Sequence, residues 1–198
     1  MPRTARLLGD GGFFHVVNRG NDRRVVFHSR LDYLVFLGFL KEAKARFPIA
    51  VLAFCLMPNH FHLIVHVRDP EHLTAFMRWA TGCYSRYHHE NHGTSGHLWQ
   101  GRFKSHPIER EGYLITAVRY VEGNPKRAGL VAANTEWEWS SLGDHLARSY
   151  LGLTDPSPFH LAGDWLEFGE MPLTEKEFEI MGKNKRDSPS SLRSGDSP

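Results

Sequence analysis

The chain has little cysteine and no long apolar run, and both shortages limit what it can be. Its 198 residues include two cysteines, Cys55 and Cys83, which lie too far apart for a C-x-x-C pair. We therefore expect neither a disulfide framework nor a cysteine-based zinc site, and we expect a reducing, cytoplasmic location. No stretch approaches the roughly 20 apolar residues that span a bilayer. The N-terminal segment also lacks the apolar core of a secretory signal, so no membrane partner is expected.

The charge of the chain is unevenly distributed. The net charge is +2, but residues 1–130 carry 18 Lys and Arg against 10 Asp and Glu, a balance of +8. Residues 131–198 carry 6 against 12, a balance of −6. A basic domain is typical of a protein with a polyanionic partner such as nucleic acid. An ordinary solvated basic surface would have the same composition.

The pattern of apolar residues predicts one α+β domain. Strands are expected at residues 13–20, 49–57 and 61–67 and within 98–108, and helices at residues 31–46, from Pro70 to a break at 91–97, and at 111–123. The first six elements have the order β-α-β-β-α-β of a ferredoxin-like antiparallel sheet with helices on one face. The last helix is an addition to that fold. The predicted core stripe of the first helix is Leu31, Leu34, Val35, Phe39 and Ala43, and that of the last is Leu114, Ala117, Val118 and Val121.

Two histidines interrupt the apolar segment CLMPNHFHLIV at residues 55–65. Alternation along a strand turns Phe61 towards the helices and His60 and His62 away from them. Such a pair can clamp a divalent ion, but structural or surface histidines are the more frequent explanation of H-x-H alone. His88, His89 and His92 are interpreted as a solvated helix end, outside any site.

The last predicted helix carries a polar stripe beside its core stripe. Tyr113, Thr116, Tyr120 and Asn124 follow each other at intervals of three or four residues, which places them on one side of the helix. Taken alone, Tyr120 and Asn124 suit an ordinary tyrosine at the edge of the core and a C-terminal cap before Pro125. The stripe therefore indicates a site only if the histidine pair lies against it.

Four motifs in order resemble a known family. MPNHFHLIV, LWQGRFKS, YLITAVRYVEGNPKRAGLV and WSS are similar to segments of the REP-associated tyrosine transposases. These belong to the single-tyrosine HUH transposases of the insertion-sequence type. The opening segment FFHVVNRGNDRRVVF also resembles the first strand and turn of that family. The resemblance covers about residues 10–145. Residues 1–145 are predicted to form one transposase domain.

The resemblance implies a single-stranded DNA endonuclease and strand transferase that cleaves near hairpin-forming repeats through a 5′-phosphotyrosine. His60 and His62 match the metal-binding pair, Asn124 matches a third ligand, and the implied cofactor is Mg²⁺ or Mn²⁺. Tyr120 matches the nucleophile, although helix geometry alone leaves Tyr113 open. Gly123 departs from the larger residue usual in relatives, and it is expected to loosen this helix end.

Basic residues near these motifs are predicted to bind single-stranded or hairpin DNA. They are Arg19, Arg23, Arg24, Arg102, Lys104, Lys126 and Arg127. Beyond the domain, residues 146–182 are predicted to form an appendage, and residues 183–198 a disordered tail rich in Ser and Pro. The acidic C-terminal part either folds back on the basic face or has no such role.

Two other functions stay open from the sequence, and so does the oligomeric state. The scaffold could bind DNA with its chemistry lost, or the H-x-H pair could hold zinc in an unrelated hydrolase that needs no tyrosine. A monomer and a homodimer are both compatible with the resemblance.

Overall fold

A four-stranded antiparallel sheet organises the protein in the computed structural model, which describes residues 11–108, 111–147, 151–156 and 164–181. The strands are β1 (Gly12–Arg19), β2 (Ile49–Met57), β3 (His60–Val67) and β4 (Lys104–Ile108). Their order across the sheet is β2-β3-β1-β4, and each neighbouring pair is antiparallel. This is the ferredoxin-like arrangement, so the predicted fold is confirmed.

Three longer helices and four short ones accompany the sheet in the described residues. They are α1 (Arg30–Arg46), α2 (Pro70–His92), α3 (Glu111–Glu122), α4 (Asn124–Arg127), α5 (Leu142–His145), α6 (Trp165–Glu170) and α7 (Glu175–Met181). Pro70 takes the first turn of α2, where its missing N–H is tolerated, and Gly93 ends that helix in the left-handed conformation. None of the helices described is both long and apolar enough to cross a lipid bilayer.

The two faces of the sheet bury separate apolar cores. Phe61 and Leu63 of β3 pack on one face with α1 and α2. Ile64 turns to the other face, where it meets Leu114 and Val118 of α3. All four residues of the stripe predicted for the last helix are buried. The alternation predicted for β3 therefore holds, and α3 covers the face that the ferredoxin-like helices leave open.

The predicted core stripe of α1 is right only in part, since Ala43 is buried and Val35 and Phe39 pack against the core but the other two residues do not. Leu31 and Leu34 are 57% and 43% exposed, whereas Tyr33, Phe36, Leu37 and Leu40 are buried. The phase is set at the helix start, where Asp32 is buried and completes a capping box with Ser29. Because α1 has apolar residues of its own on most sides, their spacing alone does not identify the buried face.

The end of α2 also differs from the interpretation of a solvated end. His88 is buried, and its ring packs against the rings of His28 and His92 at centroid distances of 5.3 and 4.6 Å. His92 in turn contacts Asp32 at 3.1 Å. The described parts of residues 146–182 include α6 and α7, which pack beside α3. The tail predicted at residues 183–198 lies outside the described residues.

Candidate active site

The predicted histidine pair opens β3 on the sheet face that α3 covers. The ring centroids of His60 and His62 are 4.9 Å apart, and the ring planes are nearly perpendicular at 78°. Phe61 between them points to the opposite face, where its ring contacts Phe36 of α1. His62 is buried and His60 is partly exposed. The inner member of the pair is therefore shielded from water while the outer member reaches the surface.

Strand pairing brings two further histidines to this face. His15 of β1 lies beside His62, with its Nε2 atom 2.9 Å from Nδ1 of His62. His106 of β4 is directly opposite His15 in the sheet. The sequence analysis missed both. His15 is visible as a polar residue within an apolar strand, but its nearness to His62 depends on strand pairing, which the sequence pattern does not reveal.

Burial keeps His15, His60 and His62 uncharged. It lowers the pKa of His15 to about 3, with a smaller effect of nearby His106. It also lowers the pKa of His60 to about 3, assisted by the positive charge of Arg19, which is opposite His60 in the sheet. The pKa of His62 falls well below its usual value, again chiefly through burial. Neutral imidazoles have a free nitrogen lone pair, which is the form that binds metal ions.

Tyr120 lies beside two of the histidines, His62 and His15. Its ring stands edge-on to His62, with centroids 6.2 Å apart, and edge-on to His15 at 6.0 Å. The buried stripe of α3 fixes this position against the sheet. Tyr113 precedes Tyr120 by two helical turns, about 10 Å along the axis at 1.5 Å per residue. The level of the histidines along α3 is therefore that of Tyr120.

Arg127 holds the C-terminal end of α3, which is called the tyrosine helix because it carries Tyr120. Its guanidinium lies over the ring of Tyr120, 4.5 Å from the centroid, and Nη2 donates a hydrogen bond to the backbone carbonyl of Tyr120. A Cβ atom at position 123 would come within 2.5 Å of Nη1 of Arg127. Burial lowers the pKa of Arg127 to about 10, which leaves the side chain charged at neutral pH. Gly123 thus makes room for a cation that braces the helix end, rather than loosening it.

Asn124 follows Tyr120 by one turn, at the start of α4. Its side chain is 9% exposed, and its Nδ2 atom is buried without a hydrogen-bond partner. Amide nitrogen and oxygen are told apart only by their partners, so an orphaned amide end is equally suited to be an oxygen facing a cation. In the described part of the chain, no three His, Cys, Asp or Glu side chains are arranged to hold a metal ion. An ion bound by His60 and His62 would therefore need a third protein donor of another type, such as the amide predicted at Asn124.

The predicted DNA-binding residues fall into two groups. Five lie at the end of β1, in the exposed turn that follows it, or around β4. They are Arg19, Arg23, Arg24, Arg102 and Lys104. The other two contact the protein itself, since Lys126 forms an ion pair with Glu170 and Arg127 covers Tyr120. These two are consequently less available to a phosphate backbone than the first five.

Residues of the C-terminal region hold α3 in place through contacts with Glu122. The carboxylate of Glu122 is buried and accepts hydrogen bonds from Ser141 Oγ at 2.5 Å and Trp165 Nε1 at 2.9 Å. It also lies 2.7 Å from Nδ1 of His145. Burial alone would lower the pKa of His145, but the contact with Glu122 raises it above its usual value. The charged and polar groups around Glu122 therefore tie the tyrosine helix to α5 and α6.

Comparisons with known proteins agree with this geometry. A family model described as "Transposase IS200 like" matches residues 12–124, more than half of the chain. A Haemophilus influenzae protein named "Putative REP-associated tyrosine transposase" is 25% identical over 123 residues, which cover 56% of this chain and 69% of that protein.

A solved structure shares the fold. It is titled as a REP-associated tyrosine transposase bound to a REP hairpin, and it superposes with a TM-score of 0.60 at 20% identity. The superposition covers 79% of this chain and 92% of that chain. With the family model spanning the whole sheet and the tyrosine helix, the chain belongs to the IS200-like transposase family, and it is similar to the REP-associated tyrosine transposases.

Proposed function

We propose that this transposase is a metal-dependent single-stranded DNA endonuclease and strand transferase with Tyr120 as its nucleophile. The observation that carries the proposal is the position of the Tyr120 ring beside His62, which in turn contacts His60, with both imidazoles held neutral by burial. A nucleophile and a pair of metal-ligating nitrogens thereby share one site, with Arg19 beside them.

The proposed cleavage exchanges one phosphate ester for another. The Tyr120 hydroxyl loses its proton and its oxygen attacks the scissile phosphorus, and the bond from phosphorus to the 3′ oxygen breaks. That oxygen takes up a proton, so the products are a free 3′-hydroxyl and a 5′-phosphotyrosine. Attack by the 3′-hydroxyl of another strand reverses the exchange and releases the tyrosine. No external energy source is required, because each step conserves a phosphodiester.

A divalent ion, Mg²⁺ or Mn²⁺, would be held by His60, His62 and the amide oxygen of Asn124. When bound, it supplies positive charge at the phosphate, which stabilises the charge that develops in the transition state. The buried amide end of Asn124 that has no hydrogen-bond partner, built as Nδ2, fits this role if it is the oxygen. Arg127 lies over the ring of Tyr120, so the tyrosine ring is positioned before DNA arrives.

The proposed partner is single-stranded DNA next to a hairpin-forming repeat. The related solved structure is titled as bound to a REP hairpin, and here Arg19 and Lys104 lie on the histidine face. A zinc hydrolase receives less support, because catalytic zinc takes three protein ligands and none of the described clusters provides them. A scaffold that had lost its chemistry would not need the neutral histidines beside a tyrosine.

A covalent adduct tests the proposal. Hairpin oligonucleotides labelled at the 3′ end would be incubated with Mn²⁺ or Mg²⁺ and the wild-type, Tyr120→Phe or Tyr113→Phe protein, then separated on a denaturing gel. We expect a labelled protein band with wild type and Tyr113→Phe, and none with Tyr120→Phe or with chelator. Cleavage without an adduct would support the hydrolase, and binding without cleavage would indicate a DNA-binding relic.

A further inference from the structure

The Nδ1 atoms of His60 and His62 each have a hydrogen-bond partner, and these partners affect how the two rings can bind a metal. The inference rests on the metal site of the proposed function. Nδ1 of His60 lies 2.6 Å from Oδ1 of Asn59, and Nδ1 of His62 lies 2.9 Å from Nε2 of His15. A neutral imidazole has one N–H and one lone pair. The partner of one nitrogen thus decides what the other nitrogen can do.

The side chain of Asn59 leaves His60 a single choice. Its Nδ2 atom donates to the backbone carbonyl of Arg23 at 3.0 Å. A carbonyl only accepts hydrogen bonds, so the amide nitrogen must face Arg23 and the amide oxygen must face His60. That oxygen also only accepts, and Nδ1 of His60 must therefore carry the proton. The lone pair of His60 is left on Nε2.

The turn after β1 sets up this contact. Asp22 and Arg23 both adopt left-handed backbone conformations, with φ of 53° and 59°, which non-glycine residues rarely take. The same turn is tied to Asn59 through its backbone, because the N–H of Gly20 donates to the Asn59 carbonyl at 2.8 Å. Asn59 is thereby held by main chain and side chain at once. A strained turn that fixes one amide is typical of a functional site.

We propose that Asn59 and His15 are positioning residues that set the tautomers of His60 and His62, so that both histidines present Nε2 to the metal. For His62, this requires Nδ1–H to donate to Nε2 of His15, which then carries its own proton on Nδ1. The reverse arrangement would place the proton of His62 on Nε2 and block that ligand. Partners of this kind commonly change metal affinity by about 10- to 100-fold when removed.

Nuclear magnetic resonance on the full, metal-free chain tests the tautomers directly. Long-range ¹H–¹⁵N correlation spectra of protein labelled with ¹⁵N-histidine distinguish a protonated ring nitrogen from one with a lone pair. We expect His60 and His62 to be protonated at Nδ1 and free at Nε2 before any metal is added. A proton on Nε2 of either ring would overturn the proposal, and this outcome depends on no variant.

Paired variants test the effect on metal. Asn59→Ala and His15→Phe remove the acceptor, whereas Asn59→Asp and His15→Gln keep one. We expect the affinity for Mn²⁺, measured by titration with electron paramagnetic resonance, to fall about 10- to 100-fold in the first pair and to recover largely in the second. Equal affinity in all four variants and wild type would overturn the positioning role. Loss in all four, with no recovery, would show a merely structural effect and also overturn it.

A failure of the proposed metal chemistry can be distinguished from a failure of the positioning role. If wild type binds no Mn²⁺ although both rings show the expected tautomers, the proposed metal chemistry is wrong and the two residues have no metal to position. If wild type binds Mn²⁺ and forms the tyrosine adduct but the tautomers differ, the proposed function stands and the role of Asn59 and His15 is wrong.

Discussion

The ring of Tyr120 stands edge-on to the ring of His62, with 6.2 Å between the centroids and 84° between the planes. This contact joins two parts of the chain that are 58 residues apart. It converts two weak sequence signals into one site, because neither an H-x-H pair nor a tyrosine near a helix end indicates catalysis by itself. The following predictions test what holds that contact and what surrounds it.

Arg127 is predicted to support catalysis through the position of Tyr120. Replacing it by Met keeps the stem of the side chain but removes the cation over the ring and the hydrogen bond to the Tyr120 carbonyl. We expect the single-turnover rate of nicking to fall about 10- to 100-fold, since small displacements of a reacting group have effects of this size. Quench-flow measurement of oligonucleotide cleavage would show it.

Gly123 is predicted to act through the same cation. Gly123→Ala places a methyl group where the Arg127 guanidinium now lies, so the arginine must move from the tyrosine. The rate should fall in the single variant but change little when Gly123→Ala is added to Arg127→Met. Independent, multiplying effects in the double variant would contradict this coupling.

Two exposed lysines are predicted to differ in DNA binding. Lys104 lies in β4 on the histidine face, whereas Lys126 is paired with Glu170. In a Tyr120→Phe background, which binds without cleaving, Lys104→Ala should reduce the slope of log affinity against log salt by about 0.7, the value for one phosphate of a single strand. Lys126→Ala should reduce the slope less. Fluorescence anisotropy over a salt series measures both, and the opposite ranking would contradict the assignment.

Asp32 is predicted to be a main determinant of stability. Its carboxylate accepts hydrogen bonds from the backbone of His28 and Ser29 and from Tyr87, and it contacts His92. Asp32→Asn should lower the free energy of unfolding by about 2–4 kcal/mol in urea, because it disrupts a helix cap and buried charge-assisted bonds. Glu42→Gln, an exposed change on the same helix, is the control and should stay within about 0.5 kcal/mol.

The Asp32 carboxylate also makes the free energy of unfolding depend on pH in acid. Burial acts to raise the pKa of Asp32, but the hydrogen bonds, first among them that of His92, bring it below the usual 3.8. The stabilisation is thus fully present above about pH 4 and is lost as the pH falls through the lower, folded-state pKa.

The buried histidines are predicted to destabilise the metal-free protein in mild acid. His15 and His60 have pKa values near 3 in the folded state and 6.5 when unfolded. Below pH 6.5 the unfolded chain therefore binds protons that the folded chain does not, and stability falls as the pH drops from 6.5 towards 3. His15→Gln should flatten this dependence by roughly 1 kcal/mol per pH unit. Urea unfolding between pH 7.5 and 5 would reveal it, and an unchanged slope would contradict the prediction.

Much of the fold was predictable from the spacing of apolar residues, because an element buried on one face has its apolar residues on that face. The stripe of α3 and the alternation of β3 were both predicted, since apolar and polar residues separate cleanly there. The stripe of α1 was predicted only in part, because its exposed residues, such as Leu31, are as apolar as its buried ones. There the buried face depends on the capping by Asp32, whose burial is possible only with partners from other elements.

The site was predictable only where its residues are close in sequence or match the family motifs. His60, His62, Tyr120 and Asn124 meet those conditions. His15 contacts His62 across 47 residues, and this contact exists because β1 pairs with β3. The position of Arg127 over Tyr120 was not predicted either, and it depends on the turn between α3 and α4. Such contacts arise from tertiary packing and leave no local pattern.

The identity of the residue that carries DNA tests the central claim most directly. Arg119 separates Tyr113 from Tyr120, so trypsin divides the two tyrosines between peptides 111–119 and 120–126. The adduct formed with Mn²⁺ would be trapped, trimmed with nuclease, digested with trypsin and sequenced by mass spectrometry. The account predicts a nucleotide phosphate on Tyr120 within peptide 120–126. A nucleotide on Tyr113, or on any residue outside that peptide, would contradict it.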